Sequence, residues 1–247
     1  MTKLLISTIA ITGLLLATSA FKINPGNVAD EVRGAWRLQE GSIEQVLVFQ
    51  DGYFSHTIFD KSNKKFISTW GGVYKIHGKS LNLVSEFNSA LKENVGSKKE
   101  LPFSVNGKML HADISGTHQH WTKIDEGNDN LAGVWRITGR MVDGKKNTMQ
   151  RGDRKTLKLL SGSRFQWMAI NPATKEFFGT GGGTYTFTNG KYTEQIEFFS
   201  RDSSRVGATL SFEGSVKDGE WNHSGKSSKG DPLNEVWTKE SYFEGVK

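Results

Sequence analysis

The sequence predicts an all-β protein: two tandem eight-stranded antiparallel up-and-down barrels behind a signal peptide. Three observations predict it. The chain repeats itself, with Gly34-Ala35-Trp36-Arg37 returning as Gly133-Val134-Trp135-Arg136, Gly71-Gly72-Val73-Tyr74 as Gly182-Gly183-Thr184-Tyr185, and His120-Trp121-Thr122-Lys123 as Val236-Trp237-Thr238-Lys239. These anchors keep their order at offsets that drift from 99 to 116 residues, so two copies of one unit lie in tandem with small insertions in the second. The 28 glycines, 4 prolines and 11% aromatic content suit short strands joined by tight turns. Apolar runs are also punctuated by Asp-Gly and Asn-Gly pairs, which favour the positive φ of type I′ hairpins.

Residues 1–20 read as an address. Lys3 supplies a positive start, Leu4 to Leu16 an apolar stretch, and Ala17-Thr18-Ser19-Ala20 small residues for a signal peptidase. The apolar stretch is short for a membrane span, which needs roughly 20 residues. The expectation is an exported protein, periplasmic or secreted. The absence of cysteine excludes disulfides and a lipid-modified cysteine, so no membrane anchor is expected after cleavage. Without the leader, 31 basic residues stand against 26 acidic ones. This mild excess is scattered over turns such as Lys61, Lys64, Lys65, Lys145 and Lys146, and it lacks aromatic interleaving. It reads as solvated surface, and nucleic acid is not an expected partner.

The repeat divides the remainder into a first barrel over 21–124, a polar and flexible linker over 125–130 and a second barrel over 131–247. Turn signals mark first-copy strands near 34–39, 45–50, 53–59, 66–76, 80–87, 101–106, 109–114 and 117–123, with a short turn around Ser89 to Asn94. Second-copy strands fall near 133–140, 155–160, 164–170, 178–188, 191–199, 206–215, 218–224 and 234–239. Closure into barrels removes both sheet edges and leaves room for side chains or one small ligand. Trp36 with Trp121, and Trp135 with Trp237, would then plug one end of each barrel.

The stretches GVWRI, FQWMAINPATKEFFGTGGGTYTF, YTEQIEFF and EVWTK resemble a family of small exported bacterial lipocalin-like domains of uncharacterised function. The second copy is similar over essentially its whole length. The first is similar at its Gly-Ala-Trp, Gly-Gly-Val-Tyr and terminal Trp, but not at the YTE segment. The resemblance implies a calycin-type barrel and carries no reaction with it.

Comparing the copies separates what folds a barrel from what is special to one of them. The tryptophans and paired glycines occur in both and read as structural. The polar content of the middle strands differs. Tyr192-Thr193-Glu194-Gln195-Ile196-Glu197 stands roughly where the first copy has Ser80-Leu81-Asn82-Leu83-Val84-Ser85, and Gln166-Trp167 faces Ser55-His56. Strict alternation puts one glutamate on each face of that strand, and an unpaired buried carboxylate is strongly penalised. One of Glu194 and Glu197 should therefore enter the barrel and be paired there, with Arg136, Arg205, Gln166, Tyr185 and His223 as candidate partners. The expected ligand-binding set is Gln166, Trp167, Tyr185, Tyr192, Glu194, Glu197, Arg205 and His223, with Phe165 and Trp221 as further walls.

Three readings stay open: a small-molecule binder, a hydrolase or isomerase using a cavity glutamate with His223 as acid and base, and an inert pair of barrels that meets a partner through its surface. No cofactor motif is present. Gly179-Thr180-Gly181-Gly182-Gly183 lacks the Lys-Ser/Thr and helix of a phosphate loop, and Arg151-Gly152-Asp153 reads as a charged turn. A two-residue turn at Ser115-Gly116 would set Asp113 opposite His118 and His111 opposite His120, zinc-type ligands on an outward face, where polar surface is the simpler reading.

Overall fold

The structure is a computed structural model that describes residues 31–117 and 119–242; the expected signal peptide over 1–20 and His118 lie outside them. The first sheet comprises β1 (Gly34–Glu40), β2 (Ile43–Gln50), β3 (Tyr53–Asp60), β4 (Lys65–His77), β5 (Ser80–Asn88), β6 (Lys98–Pro102), β7 (Ser104–Asn106), β8 (Met109–His111) and β9 (His120–Asp125). The second comprises β10 (Gly133–Val142), β11 (Lys145–Thr148), β12 (Lys155–Leu160), β13 (Arg164–Asn171), β14 (Glu176–Thr188), β15 (Lys191–Phe199), β16 (Thr209–Lys217), β17 (Glu220–Lys226) and β18 (Pro232–Glu240). Helical structure among the described residues is limited to 3-10 turns at Lys92–Asn94 and Ser203–Arg205, and none is long and apolar enough to cross a membrane.

All the pairings are antiparallel, and the all-β class holds. The second sheet closes on itself: β10 pairs with β12 on one side and β18 on the other. The first runs β6-β5-β4-β3-β2-β1-β9-β8-β7 and is nearly closed. Its edges β6 and β7 are successive in sequence, separated only by Phe103. Pro102 has no amide hydrogen to extend the ladder, so one bent segment pairs with β5 before it and β8 after it. In the second sheet β16 does both without interruption. The expected eight strands per unit therefore become nine in each sheet, through this break in the first and the added β10–β11 hairpin in the second. The Ser115-Gly116 hairpin is not two residues long either. Gln119 takes up the loop by accepting from Ser115 N and donating its own amide to Asp113, although His111 does face His120.

The turns follow their sequence. Asp51-Gly52, Asp143-Gly144, Asn189-Gly190 and Asp218-Gly219 all have positive φ at both positions, the type I′ signature. The paired glycines serve a bulge. The β4–β5 register shifts between Gly71 and Gly72, and the β14–β15 register between Gly182 and Gly183. A Cβ on Gly183 would lie 2.0 Å from the Gln195 carbonyl oxygen, so only glycine lets the strands approach here. The bulge inserts one residue, Glu86 in β5 and Glu197 in β15, and reverses which face the following residues take.

Three cores result. Trp36, Leu47, Phe49, Phe54, Tyr74 and Leu83 are among those filling the first barrel, and Trp135, Phe165, Tyr192, Phe212, Trp221 and Trp237 among those filling the second. The expected plugs Trp36, Trp121, Trp135 and Trp237 are all buried, with Trp36 and Trp135 donating to the carbonyls of Val32 and Leu131. The third core lies between the barrels. Val46, Val48, Phe59 and Phe87 meet Leu157, Leu159, Ile170 and Phe198 there. Its contacts are pseudo-symmetric: Phe198 packs against Phe66 (6.3 Å), and Phe87, 111 positions before Phe198, packs against Phe177, 111 positions after Phe66, at the same distance. Asp125, in the segment expected to be a flexible linker, binds the Ser161–Ser163 turn through Ser161 Oγ (2.8 Å), Gly162 N (2.8 Å) and Ser163 N (2.9 Å).

Candidate functional site

The inside of the second barrel is organised around a lysine. On β12, Leu157 and Leu159 point at the first barrel, which turns Lys158 between them into the lumen. Its Nζ bonds Glu194 Oε1 at 2.8 Å, and both side chains are 6% exposed. The same ammonium lies 5.0 Å from the ring centre of Tyr192, 5.1 Å from Trp221, 5.3 Å from Trp237 and 5.9 Å from Phe212. Ring quadrupoles attract a cation at such distances, more strongly when water is excluded, so one carboxylate and four aromatic faces compensate the buried charge.

His223 stands beside this pair. It packs 4.1 Å from the Phe212 ring centre and 5.0 Å from that of Trp221, and neither ring nitrogen has a hydrogen-bond partner. Glu235 Oε2 lies 3.7 Å from Nδ1, beyond hydrogen-bond reach. Burial, then the charge of Lys158, lowers the His223 pKa from its usual 6.5 to about 4, against the opposing carboxylates of Glu235 and Glu194. Burial works against the Glu235 carboxylate too, but its proximity to His223 and Lys158 and the Trp237 indole outweigh it, and its pKa falls below the ordinary value. Burial, then the negative charge of Glu194, holds the Tyr192 phenol well above its usual pKa.

Lys158, Glu194, His223 and Glu235 floor a chamber of about 230 Å³ that opens past Trp167, Phe199, Leu210 and Leu233 to the loop containing Ser227 and Ser228. The first barrel has a comparable depression of about 240 Å³ over His56. There the polar groups satisfy each other: Trp70 Nε1 donates to His56 Nδ1 (3.0 Å), and His56 Nε2 meets Gln45 Oε1 (2.9 Å). Burial, then Lys99, lowers the His56 pKa to about 3. Leu47 and Leu83 occupy the places of Lys158 and Glu194, each 111 positions earlier.

Of the residues expected from sequence, Trp167, Glu194 and His223 line this chamber, and Tyr192 is buried behind it against His223. One glutamate is inside and paired, as expected, but its partner Lys158 was not among the candidates. Glu197 is corrected: it takes the face opposite Glu194 and points outward, where Arg164 and Lys61 hold it between the barrels, with Lys61 Nζ at 2.7 Å. Gln166 is corrected likewise. Its amide spans the interface, accepting from Thr57 (3.0 Å) and donating to Thr69 (3.1 Å) and Thr180 (3.0 Å). Tyr185 is buried in the barrel, but its hydroxyl is spent on the Ser161 carbonyl. Arg205 lies outside the lumen and braces the mouth by bonding Asp202 and the Ser228 carbonyl. Of the expected candidate partners, Arg136 binds the Gly152 carbonyl.

No family model matches the chain, and no curated protein matches it.

The two buried histidines set a pH dependence. Each is neutral when folded, whereas an unfolded histidine protonates near pH 6.5. The unfolded chain thus binds more protons below that pH, and stability falls as pH drops from 6.5 towards 4, by about 3 kcal/mol for His223. Imidazole NMR is expected to show both rings neutral at pH 5.5; a ring titrating near 6.5 contradicts this.

Proposed function

We propose that the protein is an exported, tandem lipocalin-like binding protein whose second barrel holds a small molecule with an apolar body and a hydrogen-bond-donating, preferably cationic, head. One observation carries the reading: His223, 2% exposed, lines the chamber with both ring nitrogens unpartnered, beside the charged groups Lys158, Glu194 and Glu235. Buried polar groups are otherwise almost always satisfied, and ligand sites combine apolar walls with a few such groups. Lys158 against Glu194 and Glu235 leaves one net negative charge with a neutral His223. An ammonium or hydroxyl head offsets that charge, and a carboxylate adds to it. Trp167, Phe199, Leu210 and Leu233 take the apolar body.

Catalysis is disfavoured because Glu194 is already committed to Lys158, and a histidine with pKa about 4 is a weak base at neutral pH. A surface module is disfavoured because the exposed large hydrophobics among the described residues, Ile67, Leu91, Val142 and Val216, include no aromatic ring.

Tryptophan fluorescence titrations with three probes of similar shape test this reading: phenethylamine, 3-phenylpropanol and 3-phenylpropionate. Saturable binding in the order amine, alcohol, acid is expected. Preference for the acid, or no saturable response to any probe at millimolar concentration, overturns it.

A further inference from the structure

The second barrel carries an insertion that the first lacks. The copies are 99 residues apart at Trp36 and Trp135 but 111 apart at Leu47 and Lys158. The added residues make β11 and the crossing segment 149–154. β10 leaves β12 after Arg136 opposite Leu157 and pairs instead with β11, from Gly139–Thr148 to Val142–Lys145. The splay opens a pocket of about 230 Å³ between β10 and the segment 149–156.

Five cations line it: Arg136, Arg140, Arg151, Arg154 and Lys155, with Ile137 and Met149 as apolar flank and no carboxylate in the lining. Glu240 pairs with Arg151 and Glu86 with Lys155. Among the described residues, Arg136, Arg140 and Arg154 have no carboxylate partner. Two of these three guanidinium groups are held in place: Arg136 Nη2 donates to the Gly152 carbonyl at 2.6 Å, and Arg154 lies 4.4 Å over the Phe178 ring. The insertion gathers these cations, and Arg151 of the Arg151-Gly152-Asp153 turn is one of them.

Like charges held this close repel unless an anion lies among them. Guanidinium forks match the oxygens of phosphate or carboxylate bidentately. Three uncompensated cations suit a doubly charged group with three terminal oxygens better than a singly charged one with two. We infer that this pocket is a second ligand site, for a phosphoryl group on a small molecule or a lipid headgroup. It does not depend on the function proposed for the lumen.

Calorimetric titration of the full chain with inorganic pyrophosphate and with glycerol 3-phosphate tests the inference, alongside co-sedimentation with phosphatidylcholine vesicles with and without phosphatidic acid. Saturable binding is expected to weaken about tenfold or more in Arg140→Ala/Arg154→Ala, which removes two charge-assisted donors. Both side chains are exposed, so the thermal midpoint and the phenethylamine response of that variant should match wild type. Binding of soluble probes alone assigns a phosphorylated metabolite, and sedimentation only with phosphatidic acid assigns a lipid headgroup. Absence of binding in every arm, or undiminished binding by the double variant, overturns the site.

Discussion

Lys158→Leu is expected to destabilise the protein by about 3–5 kcal/mol, because it leaves the Glu194 carboxylate buried without a partner. Glu194→Leu should cost a similar amount by stranding the ammonium, lessened by the four aromatic faces around it. The double variant Lys158→Leu/Glu194→Leu should recover most of the loss, since replacing a buried ion pair with well-packed apolar groups is often neutral or stabilising. The first barrel already carries that solution as Leu47 and Leu83. Urea unfolding of the four proteins measures the coupling directly. A pair that the fold does not require and that is costly to break is what a binding chamber needs, so the double variant should fold and lose its phenethylamine response. Additive single effects would show that the pair is not coupled.

Much of the fold was legible because local chemistry and global topology agree. Asp-Gly and Asn-Gly marked the hairpins, and paired glycines marked the strands that bend. The site was half legible. Tyr192, Glu194 and His223 obey alternation and were placed together. Glu197 obeys it too, facing away from Glu194, and only its inclusion in the binding set was wrong: the outer face it takes is covered by the other barrel, and the bulge opposite Gly183 adds Phe198 to that face, which no period-2 count anticipates. Lys158 was missed for a related reason. Between Leu157 and Leu159 a lysine reads as the outward residue of an inward-facing strand, whereas here the leucines face outward onto another barrel.

A signal for both errors was present. The run Val46-Leu47-Val48-Phe49 is apolar at consecutive positions, the pattern of a strand covered on both faces. Aligning the copies at an offset of 111 residues sets Lys158 on Leu47 and Glu194 on Leu83, two changes of opposite charge that only make sense together.

The interface those strands build gives the second large effect. Phe198→Ala is expected to cost about 3–5 kcal/mol, the usual range for truncating a buried phenylalanine. Phe198 is 4% exposed and packs 5.0 Å from Phe59 of the other barrel. Phe87→Ala, at the pseudo-symmetric position, should match it. Chemical denaturation measures both, and losses under 1 kcal/mol would mean that the barrels do not stabilise each other. Both rings lie outside the lumens, so the phenethylamine response of the folded fraction should persist.

Native mass spectrometry of the protein isolated from its own cells tests the central claim most directly, comparing wild type with Lys158→Leu/Glu194→Leu. The account predicts a small-molecule adduct on wild type that is missing from the double variant. Identical adduct patterns on the two proteins would contradict it.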